Sequence, residues 1–255
     1  MTTNFEVDLK GRVAVVTGAT GGIGRAIAIL LAKSGADVVV TDTHARSELL
    51  GELASEISVL GNRALASLAD ITKRDEIDQL LGDVLNEFGS VDLLVNVAGL
   101  YLTGPITLFK ESDWDNTMAV NVKGPFLTCQ AFAKVMCEQG QGNIINIASD
   151  SAIDVAQGDG PYASSKSALV AFTRHIAREV GGKSVRANVI APGWIKTEMT
   201  RAIWSDTALR LEAEAGIPLG YMAEPDDIAS VVLFLASEAS RYITGQLVVA
   251  NGGRV

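Results

Sequence analysis

Short hydrophobic segments alternate with longer segments of helical period along this chain. Seven of the short segments are rich in valine and isoleucine and lack the polar alternation of a half-exposed strand. They span residues 13–17, 38–41, 64–69, 91–97, 143–148, 185–191 and 246–250. Near-continuous hydrophobicity is typical of strands in a parallel sheet that is covered on both faces. We therefore predict seven parallel strands.

The segments between these strands have the apolar spacing of amphipathic helices. The predicted helices span residues 23–33, 47–60, 73–88, 114–137, 163–180 and 226–236. Strands that alternate with helices build an α/β fold, because each helix carries the chain back to start the next parallel strand. We predict a doubly wound, Rossmann-type α/β fold, with a seven-stranded parallel sheet and helices on both faces.

Composition and charge limit the partners of the chain. Of its 255 residues 48% are hydrophobic, which is enough for a large core, and 21 Lys and Arg against 30 Asp and Glu give a formal net charge of −9. That sign disfavours nucleic acid. Residues 1–12 lack the apolar core of a secretory signal, and the apolar run at residues 231–236 is too short to cross a membrane. We expect a cytoplasmic protein that binds neither nucleic acid nor membrane.

A glycine-rich turn joins the first predicted strand to the first predicted helix. Its sequence over residues 17–24 is Thr-Gly-Ala-Thr-Gly-Gly-Ile-Gly. Glycine lets a ligand approach the backbone closely, and the N-terminus of a helix attracts an anionic pyrophosphate. The spacing differs from the G-x-G-x-x-G of the general dinucleotide fingerprint. A glycine turn alone is a weak signal, and it indicates a dinucleotide site only together with other motifs.

Asp42 ends the second predicted strand, where dinucleotide-binding folds place an acidic residue on the adenosine ribose. A carboxylate there repels a 2′-phosphate, and Gly21 gives the turn no basic side chain. Both features favour NAD over NADP as the cofactor. Arg46 is close enough in sequence to offset the carboxylate, so the use of NADP stays open.

Ser149, Tyr162 and Lys166 are the candidate catalytic residues. Ser149 ends the fifth predicted strand, and Tyr162 and Lys166 are four positions apart, so they share one face of a helix. An ammonium group beside a phenol favours the phenolate and lowers the tyrosine pKa from about 10 toward the range of a general base. A Tyr-x-x-x-Lys pair alone is common on helices, and it gains significance only from the motifs around it.

These motifs together resemble the short-chain dehydrogenase/reductase family, in its branch with this glycine turn and an Asn-Ser-Tyr-Lys tetrad. The remaining matches are Asn-Val-Ala-Gly at residues 96–99, Asn121 in Val-Asn-Val-Lys-Gly, and Pro192-Gly193. The resemblance extends over essentially the whole chain. Val97 is a departure, since the family often has a second asparagine there.

The resemblance implies a role for each matching residue. Tyr162 would take the proton from an alcohol or give it to a ketone, and Ser149 would bind the same oxygen. Lys166 would lower the tyrosine pKa and bind the nicotinamide ribose, and Asn121 would hold a water that links this lysine to solvent. Hydride passes directly between the substrate carbon and the nicotinamide, so no metal is expected.

The resemblance also implies the contacts of NAD and of the substrate. The expected NAD contacts are Gly18, Thr20, Gly22, Ile23 and Gly24 at the pyrophosphate, Asp42 at the ribose, Asp70 and Ile71 at the adenine, Asn96, Ala98 and Gly99 along the adenosine, Tyr162 and Lys166 at the nicotinamide ribose, and Pro192, Gly193, Ile195 and Thr197 at the carboxamide. The expected substrate contacts are Ser151, Asp154, Gln157, Trp194 and Met199. The polar members suit a polyol or sugar. The alternative for Asp154 and Gln157 is that they face water.

We therefore predict an NAD(H)-dependent oxidoreductase that transfers hydride between nicotinamide and a secondary alcohol or ketone, with a polyol or sugar as the substrate. A 3-oxoacyl-thioester reductase and a non-catalytic dinucleotide-binding regulator are the alternatives. Residues 1–255 are expected to form one dinucleotide-binding and catalytic domain, in which residues 193–225 act as a substrate-binding lid or, alternatively, form a surface helical hairpin. In the resembled family the helices at 114–137 and 163–180 pair across a two-fold axis, so a homotetramer is expected.

Overall fold

Seven parallel strands form one sheet in the order β3-β2-β1-β4-β5-β6-β7 in a computed structural model that describes residues 7–255. The strands are β1 (Val13–Thr17), β2 (Asp37–Asp42), β3 (Ala64–Leu68), β4 (Leu93–Asn96), β5 (Gly142–Ile147), β6 (Val185–Pro192) and β7 (Leu247–Ala250). This order confirms the predicted doubly wound sheet. Residues 1–6, which belong to the segment predicted to lack a secretory signal, lie outside the described residues.

Nine helices connect and flank the strands of the described chain. They are α1 (Gly22–Lys33), α2 (Ser47–Val59), α3 (Arg74–Phe88), α4 (Glu111–Met118), α5 (Gly124–Gln139), α6 (Gly160–Val180), α7 (Arg201–Trp204), α8 (Thr207–Ala215) and α9 (Pro225–Ala236). Between residues 7 and 255, every helix is too short or too polar to span a bilayer.

The alternating side chains of the central strands build one hydrophobic core on each face of the sheet. On β1, Val16 packs toward α1, α2 and α9, whereas Val15 packs toward α3 and α5. The same alternation separates Val38 from Val39 on β2. Side chains of a strand point to opposite faces in turn, so a strand that is apolar at every position buries both faces. This explains why the strand segments lack polar alternation.

The predicted helix over residues 114–137 is in fact interrupted. Between α4 and α5 lies one π-helical turn, Ala119–Lys123. Pro125 has no N–H with which to bind the Asn121 carbonyl four residues earlier, so a regular helix cannot continue through this point. A π-turn adds a residue to the helical path and is frequent at functional sites. Here it carries Asn121.

The segment at residues 193–225 has secondary structure of its own. It contains the short helices α7 and α8, which matches the helical-hairpin alternative in content. Its first residues, among them Trp194 and Met199, reach the cavity described below. The action of this segment as a lid stays a prediction.

Candidate active site

Two adjoining cavities lie along the carboxyl edge of the sheet, where the ends of all the parallel strands meet. The glycine-turn cavity, of about 590 Å³, is enclosed by the loops that follow β1, β2, β3 and β4. The tyrosine cavity, of about 320 Å³, lies over the ends of β5 and β6, and both cavities share Ile23, Gly99 and Thr197. The strand order reverses at β1 and β4, which is where ligands bind in open α/β sheets.

The glycine turn fits closely against the loop after β4. Gly18 has a φ of +62°, and a Cβ added to it would lie 2.7 Å from the Ala98 Cα atom. A Cβ on Gly24 would overlap the carbonyl oxygen of Gly18. The N-terminus of α1 follows directly, and Gly21 at its N-cap provides no side-chain hydrogen bond. Backbone N–H groups therefore face the cavity without a side-chain cap, as an anion-binding helix end requires.

Asp42 accepts three hydrogen bonds, two of which tie it to the glycine turn. Its Oδ2 accepts from the Thr20 N–H at 3.1 Å and from the Thr20 hydroxyl at 2.6 Å, and its Oδ1 accepts from the Thr43 N–H at 2.8 Å. Arg46, which is exposed, lines the same cavity. The carboxylate is held at the end of β2, and the nearby cation keeps the choice between NAD and NADP open.

Asp70 and Ile71 lie at the far end of the glycine-turn cavity. The Asp70 Oδ1 atom accepts from the Thr72 N–H at 3.0 Å and from the Thr72 hydroxyl at 2.7 Å. Ile71 packs against Gly124 of α5, where an added Cβ would lie 2.5 Å from the Ile71 Cδ1 atom. The Asp70 side chain thus closes a local turn, and the cavity wall follows from the shape of that turn.

Ser149, Tyr162 and Lys166 meet in the tyrosine cavity. Ser149 follows β5, and Tyr162 lies in the first turn of α6, one turn before Lys166. The Lys166 Nζ atom is 5.7 Å from the centre of the Tyr162 ring and donates to the Ile147 carbonyl at 2.9 Å. All three side chains are buried. The geometry places a hydroxyl, a phenol and an ammonium group around one small space.

Burial controls the pKa values of this group. It raises the pKa of the Tyr162 phenol well above the usual 10.0, and only the Ser149 hydroxyl, which works to lower it, opposes this effect. Burial also lowers the pKa of Lys166 to about 8. The Lys166 Nζ atom bonds to the Ile147 carbonyl and both groups are desolvated, so the lowering of the tyrosine pKa by Lys166 stays a prediction.

Asn121 is fully buried, and its side chain is fully engaged. Oδ1 accepts from the Leu100 N–H at 2.8 Å, and Nδ2 donates to the Leu100 carbonyl at 2.9 Å and to the Ser165 hydroxyl at 3.0 Å. Gly99 lies between this amide and Lys166, because a Cβ on Gly99 would be 3.6 Å from the Asn121 Oδ1 atom and 3.4 Å from the Lys166 Nζ atom. The asparagine fixes the loop after β4 beside the lysine, and its predicted water stays a prediction.

Most of the predicted site residues lie on the walls of these cavities. Those on a wall are Gly18, Thr20, Gly22, Ile23, Gly24, Asp42, Asp70, Ile71, Ala98, Gly99, Ser149, Ser151, Gln157, Tyr162, Lys166, Pro192, Gly193, Trp194, Ile195, Thr197 and Met199. Besides Asn121, two predicted residues line neither cavity. The Asn96 side chain is buried in the sheet, where it donates to Asn146 at 2.8 Å and accepts from Thr128 at 2.8 Å. The Asp154 side chain is exposed, because the tight turn after Ser149 brings Ser151 to the cavity and leaves Asp154 in solvent.

Five polar residues of the tyrosine cavity were missed by the sequence reasoning: Tyr101, Asp150, Asp159, Thr200 and Arg254. The Tyr101 hydroxyl donates to the Asp159 Oδ1 atom at 3.1 Å. The Tyr101 ring lies edge-on to the Tyr162 ring, with 4.7 Å between the ring centres. The position of Asp150 directly after Ser149 was an available signal. Arg254 has no such signal, because only the pairing of β7 with β6 brings the end of the chain to this wall.

Comparison with known proteins places the chain in a family. Residues 18–254 match the family model described as Enoyl-(Acyl carrier protein) reductase. A 3-oxoacyl-(acyl-carrier-protein) reductase of Thermotoga maritima is 37% identical over 97% of this chain and 99% of that protein. The 2-dehydro-3-deoxy-D-gluconate 5-dehydrogenase of Escherichia coli is 37% identical over 96% of both chains.

A solved structure agrees with these sequence relatives. The short-chain type dehydrogenase/reductase of Mycobacterium marinum superposes with a TM-score of 0.91 at 36% identity, and the match covers 97% of each chain. The chain therefore belongs to the short-chain dehydrogenase/reductase family, whose members are oxidoreductases that use a nicotinamide dinucleotide to act on alcohols and ketones.

Proposed function

We propose that this protein is an NAD(H)-dependent dehydrogenase that transfers hydride between nicotinamide and a secondary alcohol or ketone, with a polyol or sugar as the substrate. The observation that carries the proposal is the buried group of Ser149, Tyr162 and Lys166 beside the glycine-turn cavity. The glycine turn fits a dinucleotide, because Gly18 and Gly24 leave no room for side chains and α1 begins without a side-chain cap.

The dinucleotide supplies the hydride acceptor or donor when it is bound. In alcohol oxidation the Tyr162 phenolate removes the hydroxyl proton, and Ser149 forms a hydrogen bond with the same oxygen. Positioned proton transfer of this kind contributes about 10²- to 10⁴-fold to a rate. Because burial raises the pKa of the Tyr162 phenol above 10.0, the phenol is mostly protonated near neutral pH. Oxidation, which needs the phenolate, therefore accelerates as pH rises, whereas carbonyl reduction, which needs the protonated phenol, slows only when the pH approaches that raised pKa. Lys166, with a pKa lowered to about 8, is able to exchange a proton close to neutral pH.

Asp42 is the support for NAD over NADP. Its carboxylate lies against the glycine turn, where it would repel a 2′-phosphate. Arg46 works in the opposite direction from the same wall. We give more weight to Asp42, because three hydrogen bonds hold it in place whereas Arg46 is exposed.

The polar wall of the tyrosine cavity supports a hydroxylated substrate. Ser151 and Asp159 are buried there, and the Ser151 hydroxyl donates to the Asp159 Oδ2 atom at 3.3 Å. Gln157 lies at the same wall. Buried polar groups of this kind reject substrates that cannot form hydrogen bonds with them.

A 3-oxoacyl-thioester reductase is the second candidate. The family model and the Thermotoga maritima relative both have names that refer to acyl carrier protein. The net charge of −9 is unfavourable for an acidic carrier protein. Asp42 disfavours the NADPH that reductases of this kind usually use.

We also propose a cytoplasmic homotetramer in which α5 and α6 meet their counterparts. Phe126 on α5 is 41% exposed, and its ring lies 5.9 Å from that of Phe172 on α6. An aromatic pair with one exposed ring and one half-buried ring between two helices is a suitable contact for a second copy. The molar mass in solution tests this assembly, and a monomer would contradict it.

The test of the catalytic proposal is NADH formation from a panel of polyols, sugars and simple secondary alcohols. Wild type is compared with Tyr162→Phe, which keeps the ring and removes the hydroxyl, and with Tyr242→Phe, whose tyrosine is fully exposed. We expect turnover in wild type and Tyr242→Phe, and a loss of at least a hundredfold in Tyr162→Phe with NADH binding retained. Turnover of acetoacetyl-CoA with NADPH alone would favour the thioester reductase. No turnover of any substrate, with NADH binding retained, would favour a non-catalytic regulator.

A further inference from the structure

One wall of the tyrosine cavity carries a cation that the proposed chemistry does not use. Arg254 follows β7, and its side chain, 24% exposed, lines the cavity together with Ser149 and Tyr162. The other basic residue among the described lining residues, Lys166, is buried and donates to a backbone carbonyl. Arg254 is therefore the cation that a ligand in this cavity can reach.

Two neighbours hold the Arg254 guanidinium in place. Its Nη1 atom donates to the Asp150 Oδ2 atom at 3.2 Å, and Asp150 is only 3% exposed. The guanidinium carbon also lies 5.7 Å from the centre of the Trp194 ring, a cation–π contact. Because the group is already fixed, little conformational entropy is lost when a ligand binds it.

The contact with Asp150 leaves most of the guanidinium unused. An arginine has five N–H donors in one plane. Within the described chain, one hydrogen bond from Arg254 is found, the one to Asp150. A planar fork of N–H groups matches the two oxygens of a carboxylate.

The acidic residues of this wall have hydrogen-bond partners of their own. Asp150 offsets part of its charge, and burial raises the pKa of that carboxyl while the Arg254 charge opposes the rise. Asp159 is engaged by the hydroxyls of Tyr101 and Ser151. The wall thus combines groups that bind hydroxyls with a cation that binds an anion.

We propose that Arg254 is a specificity-determining residue that binds a carboxylate of the substrate, so that the substrates are hydroxy or oxo acids rather than neutral alcohols. The identity of the reacting hydroxyl rests on the proposed function. Carboxylate binding does not, because it needs no turnover.

The experiment compares the binding of matched pairs that differ only by a carboxylate in place of a hydroxymethyl group. The pairs are D-gluconate and D-sorbitol, L-lactate and 1,2-propanediol, and 3-hydroxybutyrate and 1,3-butanediol. Calorimetry is carried out on the full chain saturated with NADH, which cannot accept hydride from an alcohol, and in parallel without NADH. In wild type we expect at least one acid to bind about 10- to 100-fold more tightly than its alcohol.

Arg254→Met should abolish this preference, and Arg254→Lys should keep part of it, because the charge remains while the planar fork is lost. Since Arg254→Met leaves Asp150 buried without its cation, the double variant Asp150→Asn/Arg254→Met keeps the test valid if the single variant unfolds. The matched control is Arg63→Met. Arg63 pairs with Asp37 at 2.6 Å and lies 4.5 Å over the Phe88 ring, at the amino end of β3. The preference should survive this change.

Equal affinities in all three pairs, or a preference that persists without Arg254, would overturn the proposal. The two proposals fail separately. If wild type shows no carboxylate preference but its turnover depends on Tyr162, only the proposal for Arg254 is refuted. If the carboxylate preference depends on Arg254 but turnover survives in Tyr162→Phe, only the catalytic role of Tyr162 is refuted.

Discussion

Lys166 is expected to make the folded protein less stable at neutral pH than it would be without this charge. The lysine is buried, and burial lowers its pKa from the usual 10.5 to about 8 in the folded chain. At pH 7 the folded protein must therefore hold a proton that the unfolded chain binds far more strongly. Replacing the residue with methionine, Lys166→Met, removes this cost.

The size and the sign of the effect follow from proton linkage. A lowered pKa in the folded state means that the unfolded chain holds more protons between pH 8 and 10.5, so the stability of wild type rises with pH in that window. The cost of Lys166 is about 3 kcal/mol at pH 7 and about 1 kcal/mol at pH 10, at 1.36 kcal/mol per pKa unit. The lost hydrogen bond to the Ile147 carbonyl is a second effect, and it does not depend on pH.

The assay is urea unfolding of wild type and Lys166→Met at equal protein concentration, at pH 7, 8, 9 and 10. We expect the stability of the variant relative to wild type to fall by about 2 kcal/mol from pH 7 to 10. Lys183→Met, which replaces an exposed lysine, should run parallel to wild type. Parallel curves for Lys166→Met as well would refute the reasoning, because they would mean that Lys166 is not desolvated in the folded protein.

Three further outcomes are expected. Asp42→Asn should tighten NADPH binding by about tenfold relative to NADH in a fluorescence titration, because it removes the charge that repels a 2′-phosphate; an unchanged ratio would contradict the NAD assignment. Gly18→Ala should lower the free energy of unfolding by about 1–3 kcal/mol and weaken NADH binding, because the added Cβ would meet Ala98. The control Gly51→Ala should raise the free energy of unfolding by about 0.5–1 kcal/mol, because Gly51 lies in α2 with open space around it. Asn96→Ala should lower the free energy of unfolding in urea by about 1–3 kcal/mol and change the free energy of NADH binding by less. A larger loss in NADH binding than in stability would mean that the Asn96 side chain contacts the dinucleotide.

The fold could be predicted because the signals that define it are local. Most strands are short apolar runs rich in valine and isoleucine, and the glycine turn marks a strand-to-helix step that leaves room for a ligand. The candidate catalytic residues were equally accessible, because Ser149 follows a strand and Tyr162 and Lys166 are one turn apart. Such features depend on neighbours in sequence, and a sequence displays them directly.

The errors concern long-range geometry. Asn96 occupies a motif position, yet its side chain points into a buried network with Thr128, which no local pattern indicates. The π-turn at Asn121 depends on a proline four residues later. Arg254 reaches the tyrosine cavity only because β7 pairs with β6, some 60 residues earlier in the chain. The direction of the Tyr162 pKa also depends on burial, which the spacing of Tyr162 and Lys166 does not contain.

The close fit of Gly18 against Ala98 has a consequence for folding. The two residues follow β1 and β4, which pair with each other although the residues are about 80 positions apart, so their contact is a long-range one. The glycine-turn cavity therefore exists only once the two halves of the sheet have joined. A dinucleotide that binds there would hold the halves together and stabilise the native state by about 2.7 kcal/mol at a hundredfold excess over Kd. Thermal unfolding measured against dinucleotide concentration thus reports how strongly a ligand at this junction stabilises the native sheet.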